Sequence, residues 1–281
     1  MTTWLNLPFQ TQFRVVDGIT VRLAHSDEPG GGEDQALLLS PWPESLFAFA
    51  PIWSMLAPCS HLVAVDLPGF GHSERRDALL SPQAMSGFLI RVTDSFRLTR
   101  PHVIAPGVGT AAALFAAARH PGRLASLVVG GGAAAVPLQL GGILRDWVEA
   151  PDLAPADPRP FLAGIERYVL PDAVLEDYLT SGRGNRFTEA MRYLRSYPEE
   201  LPALRDLLPA ITTPVQIIAG ARDTAVPPVN AEFLYERLPH SNLDILDAGH
   251  FVWEDAADEY ARLVTAWWAG GCTTTGNRSP S

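Results

Sequence analysis

The chain has 281 residues and a mass of 30.4 kDa, which suits one large domain or one domain that carries an insertion. Its mean hydropathy is +0.07 and 47% of its residues are apolar, a composition typical of a soluble globular protein. The net charge is −10, and the sequence contains no basic run. We therefore expect neither nucleic acid nor a membrane as a partner, because both attract clustered basic residues.

All basic residues are arginine, since the sequence contains no lysine. This excludes Schiff-base catalysis and the phosphate-binding lysine of P-loop enzymes, and it is typical of a GC-rich bacterial genome. The two cysteines, Cys59 and Cys272, lack the spacing of a metal site or of a disulfide framework. We expect neither a metal nor an organic cofactor, because the Gly-rich "VGGGAAAVP" is too weak a match to predict a dinucleotide site.

The N-terminal residues "MTTWLNLPFQ" lack the basic region and the apolar core of a signal peptide. No apolar run reaches the roughly 20 residues of a membrane span. These features predict a cytoplasmic protein. The sequence leaves the oligomeric state open between a monomer and a homodimer.

The first elements in chain order are two strands in "QFRVVDGITVRLAHS", where alternating apolar residues flank the hairpin signal Asp17-Gly18. Continuous apolar runs then alternate with helical stretches over short links, which predicts a mostly parallel sheet covered on both faces. The further elements are the strand "QALLL", a strand from Leu62, a helix near Ser81 to Phe96, a strand at His102 to Ala105, a helix from Thr110 to Arg119 and a strand at Leu124 to Val129.

The alternation stops between Ala133 and Thr212, where only helical stretches punctuated by proline occur, and it resumes with "PVQIIAGARD" and "NLDILDAGHF". We interpret residues 133–212 as a helical cap inserted into a core of residues 1–132 and 213–270. The small, polar stretch 271–281 is predicted to be a disordered tail. The predicted fold class is therefore α/β, a mostly parallel doubly wound sheet with an inserted helical cap.

Six sequence blocks resemble, in their order and spacing, those of the α/β-hydrolase superfamily. They are "LLLSPWPES", "DLPGFGHS", "APGVGT", "HPGRLASLVV", "GARDTAVPP" and "AGHFVWED". "PGVGT" with "GHFVWED" is most similar to the branch that contains epoxide hydrolases and haloalkane dehalogenases, in which the nucleophile is usually Asp. The resemblance implies the α/β-hydrolase fold and a triad in the chain order nucleophile, acid, histidine.

Within that resemblance, Asp223 matches the catalytic acid and His250 matches the base. The nucleophile position in the turn "APGVGT" is Gly107, which has no side chain, so no covalent intermediate can form there. A histidine held by an aspartate can still move protons on a substrate or activate a water.

The superfamily builds its oxyanion hole from two backbone N–H groups, which correspond here to those of Val108 and Trp42. Neither residue is proline, so the resemblance implies that both donors are kept. Ser40 stands where the superfamily usually has a loop histidine. It is interpreted either as a displaced nucleophile or, more simply, as a hydroxyl that caps the loop.

Aromatic residues predict an apolar pocket beneath the cap, although most aromatic side chains at helical spacing belong to a core. Together they favour a bulky apolar or aromatic small molecule as the substrate. Phe161, Phe187 and Tyr193 offer further aromatic surface from the cap. The candidates for the pocket wall are Ser40, Trp42, Trp53, Trp147, Tyr168, Tyr178 and Phe251.

Three functions remain open from the sequence. The first is a cofactor-independent enzyme of bacterial specialised metabolism that uses His250 and Asp223 without a covalent nucleophile, for cyclisation, elimination, isomerisation or direct attack by water. The second is an epoxide hydrolase or dehalogenase-like hydrolase with a substituted nucleophile. The third is a ligand-binding protein that keeps the pocket and performs no chemistry, since one fold hosts unrelated functions.

Overall fold

The computed structural model describes residues 7–26, 34–150 and 157–274. Its centre is an eight-stranded sheet with the strand order β1-β2-β4-β3-β5-β6-β7-β8. The strands are β1 (Gln12–Val16), β2 (Ile19–His25), β3 (Gln35–Leu39), β4 (His61–Val65), β5 (His102–Pro106), β6 (Ser126–Gly130), β7 (Val215–Gly220) and β8 (Ser241–Leu246).

The predicted hairpin at Asp17-Gly18 is confirmed, since β1 and β2 pair antiparallel and Val16 faces Ile19 across the turn. Asp17 and Gly18 both have positive φ angles, +51° and +73°. That pair of left-handed residues makes the tight turn whose twist matches two adjoining strands. The hairpin forms one edge of the sheet, because β2 also pairs antiparallel with β4.

The remaining pairs from β4 to β8 are parallel, and β5 and β6 are buried along their whole length. Strands buried on both faces need continuous apolar sequence, so the apolar runs of β5 and β6 predict strands. The chain passes from β3 to β4 on one side and then to β5 on the other side of β3. The carboxyl ends of β3 and β5 therefore border the point where strand order reverses, which is where open α/β sheets bind ligands.

Element ends differ slightly from those expected. The strand predicted at Leu124–Val129 begins at Ser126, because its ladder with β5 starts where His102 pairs with Ser126. The helix predicted near Ser81 to Phe96 covers Pro82–Ser95, and the Ser81 hydroxyl caps it by accepting from the Ala84 N–H.

Helices flank the sheet, and none of those within the described residues is long and apolar enough to cross a membrane. The helices are α1 (Ala50–Leu56), α2 (Pro82–Ser95), α3 (Gly109–Arg119), α4 (Gly142–Glu149), α5 (Arg159–Leu162), α6 (Asp172–Ser181), α7 (Arg186–Arg195), α8 (Tyr197–Leu207), α9 (Val229–Arg237), α10 (Val252–Asp255) and α11 (Ala257–Ala269).

Helices α4 to α8 lie between β6 and β7, in the segment 133–212 that the sequence indicates as an insertion, and we call them the cap helices. The described part of this segment contains no strand, and residues 151–156 lie outside the described residues. Helix α8 packs on the core helices α2 and α3, while α4 packs on α7. The cap helices therefore rest on the core sheet's own helices.

The start of the predicted tail, residues 271–274, is described, and residues 275–281 are not. Cys272 is buried, its N–H donates to the Trp267 carbonyl at 3.0 Å, and its Sγ lies 3.9 Å from His102 Nδ1. The predicted disorder is therefore wrong for residues 271–274. The Cys272 side chain is buried beside His102 on β5, and this packing holds the start of the segment in place.

Candidate active site

The turn after β5 is a sharp elbow that exposes the residue at its tip, Gly107, to a cavity. Gly107 follows the last strand residue, Pro106, and has φ +57°, a left-handed angle that L residues with side chains rarely adopt. Its N–H donates to the Gly130 carbonyl at 2.9 Å, and its own carbonyl accepts from Thr110, near the start of α3. The position is thus tightly held, and its Cα faces the cavity described below.

His250 and Asp223 are brought together from the loops after β8 and β7. Asp223 Oδ2 lies 2.8 Å from His250 Nδ1. The other oxygen, Asp223 Oδ1, accepts from the N–H groups of Ala225 and Val226 at 2.9 and 2.8 Å. These bonds fix the carboxylate, which in turn assigns the proton to Nδ1 and leaves Nε2 as the basic nitrogen.

Burial of His250 works against its charged form, but the opposing effect of Asp223, through charge and hydrogen bond, and of Glu44, through charge, is larger. The pKa of His250 is therefore raised above its ordinary value of 6.5. A base with a raised pKa accepts a proton more readily from a weak acid, so this arrangement suits general base catalysis.

The two expected oxyanion donors are available. Trp42 and Val108 are both buried and both line the cavity that His250 and Gly107 also face. Within residues 7–26, 34–150 and 157–274, neither backbone N–H donates a hydrogen bond. The carbonyl of Val108 accepts from the Tyr193 hydroxyl on α7 at 2.9 Å, which ties the elbow to a cap helix. Two unpaired N–H groups in a buried site can bind a developing oxyanion.

The cavity at this site is small, about 20 Å³, which is room for about one water molecule. Most side chains in its wall are apolar, and the polar side-chain groups belong to His250, Tyr197 and Trp42. Each of four cap helices adds one side chain: Leu144, Phe161, Leu194 and Tyr197. The core side consists of Trp42, Gly107, Val108, Gly131, Gly132, Ala133, Leu140, Val226 and His250.

An aromatic cluster closes the site above His250. Phe161 packs edge-on against the imidazole with ring centres 5.3 Å apart. Trp42 stacks on Phe187 at 4.7 Å, and Trp147 packs against Trp42 at 6.2 Å and Phe161 at 5.9 Å. Trp147 was predicted to line the pocket, but it packs behind Trp42 and Phe161 and does not line the cavity.

Of the predicted wall residues, only Trp42 lines the cavity. Trp53 packs on Phe9, 4.3 Å between ring centres, and borders a different depression. The Tyr178 ring is fully buried, and its hydroxyl donates to Glu254 at 3.0 Å. The aromatic residues predicted an apolar surface. They did not predict which ring lines the cavity, because that depends on how each helix is rotated about its axis.

The other predicted wall residues, Phe251, Tyr168 and Ser40, do not line the cavity either. Phe251 is buried next to His250, between Phe161 and Trp253. Tyr168 is half-buried on the cap segment whose N–H groups bind Asp255. Ser40 is fully buried, but its hydroxyl has no hydrogen-bond partner among the described residues and does not face the cavity. The loop-capping interpretation of Ser40 is therefore wrong, and its position gives no support to a displaced nucleophile.

Sequence reasoning missed two buried carboxyl groups beside His250. Glu44 follows Trp42 in "SPWPES" and is fully buried, and Glu254 follows His250 in "GHFVWED" and is 3% exposed. Acidic residues in a loop and at a helix start are usually solvated, so the sequence carried only a weak signal: an acidic residue within an apolar run. No group of three or more His, Cys, Asp or Glu side chains in the described part of the chain could hold a metal ion.

The chain resembles several proteins of known name. It is 27% identical over 265 residues to the dihydrolipoyllysine-residue acetyltransferase component of the acetoin cleaving system of Cupriavidus necator, a match that spans 90% of this chain and 67% of that protein. It is 25% identical to the 2-hydroxymuconate semialdehyde hydrolase of Pseudomonas putida over 210 residues, 72% of this chain and 75% of that one.

Solved structures agree in fold. One is the 2-hydroxy-6-oxo-6-phenylhexa-2,4-dienoate hydrolase of Rhodococcus sp. strain RHA1, which superposes with a TM-score of 0.77 at 18% sequence identity. The match covers 94% of this chain and 100% of that one. The sequence profile of the alpha/beta hydrolase family matches residues 29–263, most of the chain. The protein therefore belongs to the alpha/beta hydrolase family.

Proposed function

We propose that the protein is an enzyme in which His250, oriented by Asp223, acts as a general base and then as a general acid without a covalent intermediate. One observation carries the proposal. The histidine of an intact His–Asp pair and a glycine at the elbow face the same cavity, together with two unpaired N–H donors. A base and an oxyanion site are thus assembled where no side chain can attack the substrate.

The reaction that these groups serve best is direct attack of water on a carbonyl carbon. The cavity between Gly107 and His250 has room for about one water. In this scheme His250 Nε2 takes a proton from the water as its oxygen bonds to the carbonyl carbon. The carbonyl oxygen gains the negative charge and accepts from the Val108 and Trp42 N–H groups. When the tetrahedral adduct collapses, the imidazolium returns its proton to the leaving group.

Two of the relatives described above carry hydrolase names, which supports hydrolysis as the reaction class. The substrate class we propose is an apolar or aromatic carbonyl compound, because the wall of the site is almost entirely apolar. A bulky member of that class enters only if the aromatic cluster of Trp42, Phe161 and Phe187 moves aside. The epoxide hydrolase or dehalogenase branch remains a prediction from the sequence motifs, since these relatives carry other names.

A second candidate is proton transfer without hydrolysis, as in isomerisation, elimination or cyclisation. The glycine at the elbow favours it in one respect, because no hydroxyl competes with a carbon acid for the His250 base. A third reading, ligand binding without chemistry, predicts that the same cavity retains a compound unchanged.

The test is untargeted mass spectrometry of a cell extract incubated with the protein and, in parallel, with the variants His250→Ala and Asp223→Asn. We expect a compound that the wild type splits into two products whose masses together equal that of the compound plus one water. It should react slowly with Asp223→Asn and should not react with His250→Ala. Conversion without a mass change, or with loss of water, would select the second candidate. Full turnover by His250→Ala would overturn the mechanism, and retention without conversion by all three proteins would indicate a binding protein.

The raised pKa of His250 predicts the pH dependence of that turnover. The imidazole must be neutral to act as a base, and its pKa lies above 6.5 because Asp223 and Glu44 outweigh the effect of burial. We therefore expect kcat/KM to rise with pH through an acid limb whose midpoint lies above 6.5. An acid limb whose midpoint lies at or below 6.5 would contradict the role assigned to the Asp223 contact.

A further inference from the structure

The Trp253 indole joins His250 to the buried carboxyl groups beside it. Its ring packs edge-on against the imidazole with ring centres 5.8 Å apart, and its Nε1–H donates to Glu44 Oε1 at 3.1 Å. Glu44 lies on the same loop as Trp42, whose N–H faces the cavity. The Glu44 carboxyl group is therefore held close behind the catalytic histidine candidate, on a different element from Asp223.

Glu44 and Glu254 form a pair in which each group has one bonded and one free oxygen. Glu44 Oε1 accepts from Trp253, and Glu254 Oε1 accepts from the Tyr178 hydroxyl at 3.0 Å. The second oxygen of each, Oε2, has no hydrogen-bond partner among the described residues. Two ionised carboxylates this deeply buried would repel each other at great cost, so the pair is expected to keep one proton.

The neighbouring groups decide which carboxyl group keeps that proton. Burial and the charges of Glu44 and Asp255 raise the pKa of Glu254 well above its usual value, with only the Tyr178 hydrogen bond opposing them. Burial raises the pKa of Glu44 to about 7, and the charge of His250, a hydrogen bond from its own backbone and the Trp253 hydrogen bond oppose that rise. Glu254 therefore holds the proton more firmly, and Glu44 is the member that carries charge when His250 is protonated.

We propose that Glu44 is a positioning residue for the reaction: its buried carboxylate stabilises the protonated form of His250, as a second anion in addition to Asp223. This inference rests on the general acid–base role proposed above for His250. Water is a weak acid, so a more basic histidine removes its proton more readily as the oxygen attacks. The remaining titratable groups around the cluster are Tyr178, Tyr168 and Asp255.

The test is an NMR titration of the His250 ring carbon in the full-length protein, assigned by comparison with His250→Ala. It needs no substrate, so it can fail or succeed independently of the turnover experiment. Glu44→Gln keeps the shape and an acceptor for Trp253 but removes the charge. We expect it to shift the His250 midpoint to lower pH and, once a substrate is known, to move the acid limb of kcat/KM in the same direction.

Glu254→Gln is the matched control, since it changes a carboxyl group of the same pair that has no direct charge effect on His250. It should leave the His250 midpoint at or above the wild-type value. An unchanged midpoint in Glu44→Gln, or an equal fall in both variants, would overturn the proposal.

The wild type gives a second readout if Glu44→Gln does not fold. The His250 signal should show an additional inflection at the pH where the Glu44 side-chain carboxyl carbon titrates. A single inflection, with no counterpart in the Glu44 signal, would also overturn the inference.

Discussion

Gly107 is the residue at which this site departs most from a hydrolytic triad. A Cβ atom added there would meet its nearest neighbour, Pro41 Cβ, at 3.5 Å, an ordinary contact. The left-handed φ of +57° would still cost a side chain on the order of 1 kcal/mol. The elbow therefore has space for a Cβ atom, and the strain of the left-handed φ is the cost of adding one.

This space leads to a prediction about Gly107→Ser. The new hydroxyl should lie within reach of His250 and beside the Val108 N–H, so a fluorophosphonate should label the protein once, as measured by intact mass. Gly107→Ala is the matched control and should not be labelled. Labelling should also disappear in Gly107→Ser combined with His250→Ala. A folded Gly107→Ser protein that resists labelling would contradict the geometry assigned to the base and the oxyanion donors.

The resemblance to the α/β-hydrolase superfamily implied the His250 and Asp223 pair, since each matches a motif position after a predicted strand. The sequence did not predict that Glu44 is buried or that Tyr193, named only as aromatic surface, donates a hydrogen bond. The Glu44 carboxyl is fully buried and Tyr193 donates to Val108 from α7. Neither fact has a local signature, since burial and long-range hydrogen bonds arise only when separate elements pack.

At the scale of elements, a buried ion pair joins the cap helix α6 to the sheet. Arg22 on β2 donates to both oxygens of Asp177 on α6, at 2.6 and 3.0 Å, and to Asp66 after β4 at 2.7 Å. The Ser45 hydroxyl also donates to Asp177, at 2.6 Å. Removing Asp177 would break two of the three hydrogen bonds that Arg22 makes to buried carboxylates and leave Asp66 as its counter-charge.

We expect Asp177→Asn to lower the free energy of unfolding by about 3 kcal/mol, towards the low end for a broken buried pair because Asp66 still neutralises Arg22. Urea denaturation measures this. The matched control is Asp206→Asn, which breaks an exposed pair with Arg205 on α8 and should cause no measurable change. Equal stability of Asp177→Asn and the wild type would show that α6 is not anchored here.

The same pair predicts how stability depends on acidity. Burial alone would raise the pKa of Asp177, but hydrogen bonds from His72, Arg22 and Ser45 hold it well below its ordinary value of 3.8. A depressed folded-state pKa adds stability that is present above 3.8 and is lost as the pH falls below it. Asp177→Asn should therefore lose less stability between pH 4 and pH 2 than the wild type does, as urea midpoints across that roughly two-unit range would show.

At the scale of the whole molecule, the site lies where the cap helices meet the loops that follow β3, β5, β7 and β8. Phe161 of α5 covers His250 from the cap side, and the enclosed space is about 20 Å³. Neighbouring Leu162 is also buried, but it does not line this cavity. The volume enclosed above His250 is therefore set by how the cap rests on the core.

Two substitutions on α5 test whether the cap limits the volume above His250. Phe161→Ala and Leu162→Ala should each destabilise the protein by about 2–5 kcal/mol, because both remove buried apolar volume. Only Phe161→Ala opens the space above His250, so it alone should bind aromatic ketones more tightly than the wild type, as measured by calorimetry. Tighter binding by Leu162→Ala as well would assign the effect to general loosening of the cap.

The strand and helix alternation, the Asp17-Gly18 hairpin and the helical segment between β6 and β7 are predictable from the sequence, because apolar periodicity and turn chemistry are local. The elbow, acid and base positions followed from the resemblance to the α/β-hydrolase superfamily. Which aromatic rings line the cavity, that Glu44 and Glu254 are buried beside His250, and that Arg22 pairs with Asp177 from 155 residues away are known only from the fold. Those properties depend on how helices rotate and dock, and a sequence pattern fixes the apolar face of a helix but not its neighbour.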